Sequence, residues 1–275
     1  MKDILNNVLS ELNSKNDDYC SIKHKKGWFN YLRSGDLGFT SINLHLALKK
    51  VIDRADKRPR GNKLLFLRNR DRFTVMSNKI PYRKEEALER FITASNDSVR
   101  YFNQIPIGGG KESIDIGIKE TESRFIFVEL KPWSSTNSPL YAIVESLKNL
   151  IEYRIIKDRG IEHYKEFGKY NEVDLMILAP LSYYRDYGLN NGAENKIGLI
   201  KKTLNDLSSE FRTKISLMIL PINETAFDDA CRKVCDKYKK TTGQEIIYIS
   251  SSDAIPELKR DQWKLLVSTD VESYA

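Results

Sequence analysis

The chain has 275 residues, 40% of them hydrophobic and 30% charged, and its 45 Lys and Arg exceed its 38 Asp and Glu to give a formal charge of +7. That balance suits one large or two small soluble domains with a sizeable core, and the positive excess favours an anionic partner, nucleic acid first. Three cysteines form no even disulfide framework, the three histidines (His24, His45 and His163) lack partners at zinc-ligand spacing, and no apolar stretch nears the ~18 residues of a membrane span, which excludes a disulfide scaffold, a zinc enzyme and a transmembrane protein.

The opening stretch MKDILNNVLSELNSKNDD reads as a short amphipathic helix with no signal-peptide character, so the expected compartment is cytoplasmic. Residues 1–60 form a mainly helical N-terminal extension, with a second apolar segment from Ile42 to Val51. Between the two lies a basic, aromatic stretch containing KHKK (23–26), which fits a solvated turn as well as a phosphate contact. The charged turn RADKRPRGNK (54–63) marks the boundary with a domain spanning 61–275. LLFLRNRDRFTVMSNKI (64–80) reads as two strands around Asn69-Arg70-Asp71.

KEEALERFITASN (84–96) is a helix with Leu88, Phe91 and Ile92 on one face, and RYFNQIPI, SIDIGIKE and RFIFVELK are three strands. SPLYAIVESLKNLIEYRII (138–156) is a long helix with proline in its first turn. Strand and helix then alternate through VDLMILAP, KIGLIKKTLNDLSSEF, ISLMILPI, AFDDACRKVCDKYKK and EIIYIS. Such near-continuous apolar strands between helices predict parallel strands covered on both faces. The fold class is therefore α/β, a central mixed sheet flanked by helices with C-terminal α/β additions.

Several motifs have a plain structural reading beside a functional one. Cys231 and Cys235 lie four apart in an amphipathic helix, as small half-buried residues do. IPIGGGKES (105–113) departs from a phosphate-binding loop at Ile105 and Glu112 and is followed by a strand, so it reads as a hairpin loop. SYYRDYG (182–188) could stack on bases or form a tyrosine-rich connection.

FIFVELKPW (125–133) ends a strongly apolar strand in Glu129 and Lys131. Acid-x-lysine alone says little, since Glu194-Asn195-Lys196 repeats the pattern and Glu257-Leu258-Lys259 repeats the tripeptide. Alternation puts Glu129 and Lys131 on one strand face with Phe125 and Phe127, and Asp115 on a face with Ser113 and Gly117. A hairpin around Thr121-Glu122-Ser123 pairs Glu120 with Arg124 and Asp115 with Glu129. Two carboxylates so placed repel unless a cation lies between them, and a hard divalent ion such as Mg²⁺ or Mn²⁺ takes oxygen ligands. A fixed ion cluster in which Lys131 bridges both acids fits the same residues.

Ile114-Asp115 followed by Glu129-Leu130-Lys131 resembles the PD-(D/E)xK nuclease superfamily, with Ile114 in place of the motif's proline. The resemblance covers the middle third to half of the chain. It implies a restriction-endonuclease-like core of a helix, a three-strand meander, a helix and a further strand, matching residues 84–180. It also implies a Mg²⁺- or Mn²⁺-dependent endonuclease that hydrolyses phosphodiester bonds, in DNA first. Asp115, Glu129 and the Leu130 carbonyl would hold the metal, Lys131 would act on water or phosphate, and a glutamate of the first helix would complete the site. Among Glu85, Glu86 and Glu89, Glu85 lies closest to the face of Leu88 and Ile92. Tyr141, Glu145 and Lys148 share a face of the following helix and could line the cleft. Cutting both strands at one site would favour a homodimer. A catalytically inactive nucleic-acid-binding or protein-assembly module on the same fold is the alternative.

Overall fold

The computed structural model describes residues 25–34, 72–74, 84–107, 113–158, 168–189, 193–240, 246–248 and 251–270. The expected helix at the N-terminus, the Ile42–Val51 segment, the turn 54–63, Cys20, the three histidines and the glycines of 108–110 lie outside them. Among the described residues no helix is long and apolar enough to cross a membrane.

The elements run α1 (Lys25–Ser34), β1 (Arg72–Thr74), α2 (Lys84–Ser95), β2 (Tyr101–Pro106), β3 (Ser113–Lys119), β4 (Arg124–Leu130), α3 (Pro139–Asp158) and β5 (Glu172–Pro180). Then follow α4 (Leu181–Asp186), α5 (Glu194–Phe211), β6 (Ile215–Leu220), α6 (Glu224–Lys240), β7 (Ile246–Tyr248), three short 3₁₀ turns and β8 (Lys264–Ser268). Local chemistry explains several boundaries. Pro139 opens α3, where its missing N–H costs nothing, and Ser138 Oγ accepts the Tyr141 N–H at 3.2 Å. Asn223 Oδ1 does the same for Ala226 at the start of α6, at 3.1 Å.

Six strands form one mixed sheet in the order β2-β3-β4-β5-β6-β8. The β2–β3 and β3–β4 pairs are antiparallel, β4–β5 and β5–β6 parallel, and β6–β8 antiparallel. This is the expected α/β class. One expectation fails: EIIYIS does not extend the parallel set. Its described part, β7, pairs antiparallel with β1 in a separate two-stranded sheet, and β8 takes the main sheet's edge beside β6.

Each face of the large sheet carries its own core. On one side Phe125, Phe127, Val173, Leu175, Ile177 and Leu217 pack against α3, α5, Trp28 of α1 and the tyrosines around α4. On the other, Ile116, Ile126, Val128, Leu130, Met176 and Leu178 pack against α2 and α6. We refer to these as the α3 side and the α2 side. Trp28 is 1% exposed and donates through Nε1 to Tyr187 O at 2.7 Å, so part of the N-terminal extension is built into the main core.

SYYRDYG resolves in favour of its structural reading. Tyr183, Tyr184 and Tyr187 are all fully buried; Tyr183 Oη donates to Asn137 O at 2.8 Å, and Tyr184 Oη lies 3.0 Å from Ile177 O and 3.2 Å from Met218 O. These rings have no face to offer a base. Cys231 and Cys235 are buried free cysteines, as their helical spacing suggests.

Candidate metal centre

β3 and β4 pair with the expected offset. Glu120 N–H donates to Arg124 O at 3.0 Å, and the register runs Lys119↔Phe125, Ile118↔Ile126, Gly117↔Phe127 and Ile116↔Val128. The next rung would set Asp115 against Glu129, but the paired register ends at Ile116. Instead Asp115 Oδ2 accepts the Leu130 N–H at 2.7 Å. A side-chain oxygen thus takes a strand donor, and the two strands part at the point where their carboxylates would otherwise collide.

Asp115 is directed to the α2 side. One carboxylate oxygen each from Glu85, Glu89 and Asp115 lies within 4.8 Å of the other two. Helical geometry accounts for two of these groups, because residues four apart share a face. The structure therefore brings in both Glu85 and Glu89 where the sequence favoured Glu85 alone, and the i,i+4 spacing of two glutamates was the signal available. Glu86 turns away and pairs with Arg90 at 2.5 Å.

Glu129 and Lys131 occupy the α3 side, with Phe125 and Phe127, as alternation requires. Lys131 Nζ lies 2.5 Å from Glu129 Oε1 and 3.0 Å from Glu145 Oε2 of α3. The Lys131 N–H donates to Leu178 O at 3.0 Å, which ties its backbone to β5. Glu145 thus joins the site through Lys131, and Tyr141 on the same helix is buried. The Leu130 main chain enters through its N–H, donated to Asp115, where its carbonyl was expected.

The two halves form one electrostatic unit. Burial raises the Asp115 pKa well above the ordinary carboxylate range, and the charges of Glu129, Glu89 and Glu85 push it further. Burial also carries Glu89 up to about 8, with help from Glu85 and against the opposing effect of the Gln104 side chain. Glu129 rises to about 7 through burial, with Lys131 opposing and Glu145 and Glu85 adding to the rise. Burial alone would depress Lys131, but Glu129, Glu145, Asp115 and Glu85 outweigh it and hold the ammonium well above its usual value.

These residues fit a hard divalent cation. Oxygen ligands at 2.0–2.6 Å from a common ion lie roughly 3–5 Å from one another, the spacing of the three carboxylates. Glu89 is 4% exposed, and its Oε2 has no hydrogen-bond partner among the described residues. A buried carboxylate oxygen without a donor is costly, and a cation would satisfy it.

The two repeats of the acid-x-lysine pattern lie in other settings. Glu257 and Leu258 belong to the 3₁₀ turn Pro256–Leu258, which extended Lys259 ends, and Glu194-Asn195-Lys196 starts α5. At the start of α2 Lys84 Nζ stands 4.3 Å over the Trp133 ring, which in turn meets Phe227 edge-on at 5.7 Å. Comparisons with family models, with curated proteins and with solved structures find no match for this chain.

Proposed function

We propose that the protein is a Mg²⁺- or Mn²⁺-dependent nuclease that hydrolyses phosphodiester bonds in DNA. The observation that carries the reading is the trio of half-buried Glu85 with buried Glu89 and Asp115, whose carboxylates converge within one ion's reach while the buried ammonium of Lys131 acts on them electrostatically from the α3 side. The order helix, three-strand meander, helix, strand around Ile114-Asp115 and Glu129-Leu130-Lys131 supports it through the resemblance to the PD-(D/E)xK superfamily.

A divalent ion held by the trio would supply Lewis acidity toward water and offset charge on the scissile phosphate. The remaining work falls to the chain. Leu130 N–H fixes the Asp115 carboxylate, so one of its oxygens is already oriented. Glu129 and Glu145 keep Lys131 protonated and position it, so that it can meet a phosphate oxygen or orient a water. Burial of Glu89, Asp115, Glu129 and Lys131 removes competing solvent and strengthens the interactions among them. The net charge of +7 favours the phosphate backbone in a salt-dependent way.

The test is cleavage of single-stranded, duplex, nicked and branched DNA, and of RNA, in Mg²⁺ or Mn²⁺, by wild type and by Asp115→Asn, Glu129→Ala and Lys131→Ala. DNA is expected to be cut by the wild type, with each variant slower by ~100-fold or more. Cleavage that persists unchanged in the variants rejects the site. Salt-dependent DNA binding without cleavage by the wild type would favour the inactive binding module.

A further inference from the structure

Two described residues other than glycine have left-handed backbones, Gln104 at φ 49° and Arg212 at φ 46°. Arg212 ends α5, with the cap N–H bonded to Ser208 O, a usual place for this conformation. Gln104 sits in the middle of β2, where no turn demands it. A residue with a β-carbon holds such a conformation only when its surroundings over-determine it, and such residues gather at functional sites.

The β2–β3 ladder lacks one rung at this place. Asn103 pairs with Ile116 and Ile105 with Ile114, at constant offset, but Gln104 and Asp115 are not paired. Both strands change faces there. Phe102 and Ile105, three residues apart, lie in the same core on the α3 side, whereas Ile114 and Ile116, two apart, lie in opposite cores. Regular alternation would give the reverse in each case. It would also point Asp115 to the α3 side with Gly117, whose absent Cβ faces Ile105 and Phe125. Because the strands switch, Asp115 meets Glu85 and Glu89 of α2 instead. The Gln104 side chain reaches the same place, beside the Glu89 carboxyl.

We propose that Gln104 is a positioning residue for the metal centre: its left-handed backbone belongs to the switch that turns Asp115 toward α2, and its amide holds Glu89 in the three-carboxylate ligand set. This rests on the metal reading above. Gln104 leaves a Glu89 oxygen for the ion, just as Leu130 orients Asp115 while engaging only one of its oxygens.

The test uses Mn²⁺ alone, without DNA, on the whole chain. Gln104→Asn keeps a residue that tolerates left-handed φ but shortens the amide's reach, and Gln104→Gly frees the backbone and removes the amide. Calorimetric titration is expected to show Mn²⁺ affinity lowered about 10-fold or more in both, the usual effect of losing a group that orients a ligand. Tm in EDTA is expected to stay level or rise. Affinity within twofold of wild type in both variants overturns the role of Gln104, as does an affinity loss that only tracks a falling Tm. Wild-type protein that binds no Mn²⁺ overturns the metal reading itself, and the role of Gln104 with it.

Discussion

At the residue scale the central fact is that the acidic site works against folding when no cation is present. Glu89 has a pKa of about 8 and Glu129 of about 7 in the folded chain, against 4.5 for an ordinary glutamate. The folded state therefore holds protons that the unfolded chain releases, and stability falls as pH rises from about 4.5 through 7 to 8. Asp115 adds in the same direction. A metal ion held by the proposed trio would do at pH 8 what protons do at pH 5, so Mn²⁺ should raise Tm more at pH 8 than at pH 6. Glu89→Gln removes one buried charge at nearly constant shape. In EDTA at pH 8 it should raise Tm by at least ~2 °C, roughly what one kcal/mol produces in a chain of this size, and change little at pH 5. Thermal melts from pH 5 to 8.5 with and without EDTA check both statements; a Glu89→Gln melt at pH 8 no higher than wild type would oppose them.

At the element scale β3 and β4 show what is readable in a sequence. SIDIGIK and RFIFVEL are dense in β-branched and aromatic residues around the turn Thr121-Glu122-Ser123, so the strands, their hairpin and its offset were all legible. The broken rung was not, because a glutamine carries no preference for a left-handed backbone and nothing local marks Gln104. The site was legible to a similar depth. Asp115, Glu129 and Lys131 follow from the strands, while the separation of trio from lysine follows from Gln104 and Asp115 switching faces. β8 is not legible in the sequence because this five-residue edge strand, with Lys264 and Leu265 exposed, lacks the long apolar run of a central strand. β7 looked like a parallel strand because an apolar run does not name its partner. Gly117 offers a test of the packing that surrounds the hairpin. A Cβ there would stand 2.3 Å from Ile105 Cδ1 and 2.5 and 2.6 Å from the Phe125 ring. That ring is fixed by Phe102, Phe127 and Tyr170, with the Tyr170 centroid at 4.7 Å. Gly117→Ala should therefore cost ~1–3 kcal/mol in a denaturant melt, as overpacking does, and a variant as stable as wild type would contradict the packing described.

At the scale of the whole molecule the proposed metal trio depends on chain far beyond it. Its residues lie between 85 and 115, yet α2, which brings two of the three, is held from behind by the C-terminal segment. Asn96, just past α2, donates through Nδ2 to Ile92 O at 2.7 Å and to Leu258 O at 3.0 Å, and its Oδ1 accepts the Arg260 N–H at 3.0 Å. Arg260 also grips Glu120, just past β3, through both terminal guanidinium nitrogens. One asparagine and one arginine thus connect α2, the β3–β4 hairpin and the 3₁₀ turns that lead into β8. Asn96→Ala removes the side-chain bonds to Ile92 O, Leu258 O and the Arg260 N–H; Leu258 O keeps the Trp263 indole N–H at 3.3 Å, but the part-buried Arg260 N–H loses its acceptor, a loss of about 1–3 kcal/mol. Tm should fall by roughly 2–8 °C. Because α2 is loosened as a unit, Mn²⁺ affinity should fall together with Tm, whereas changes at Gln104 should lower affinity without lowering Tm. Measuring both quantities on both sets of variants separates a latch that holds the helix from a residue that aims its ligands, and an Asn96→Ala protein as stable as wild type would remove the latch from this account.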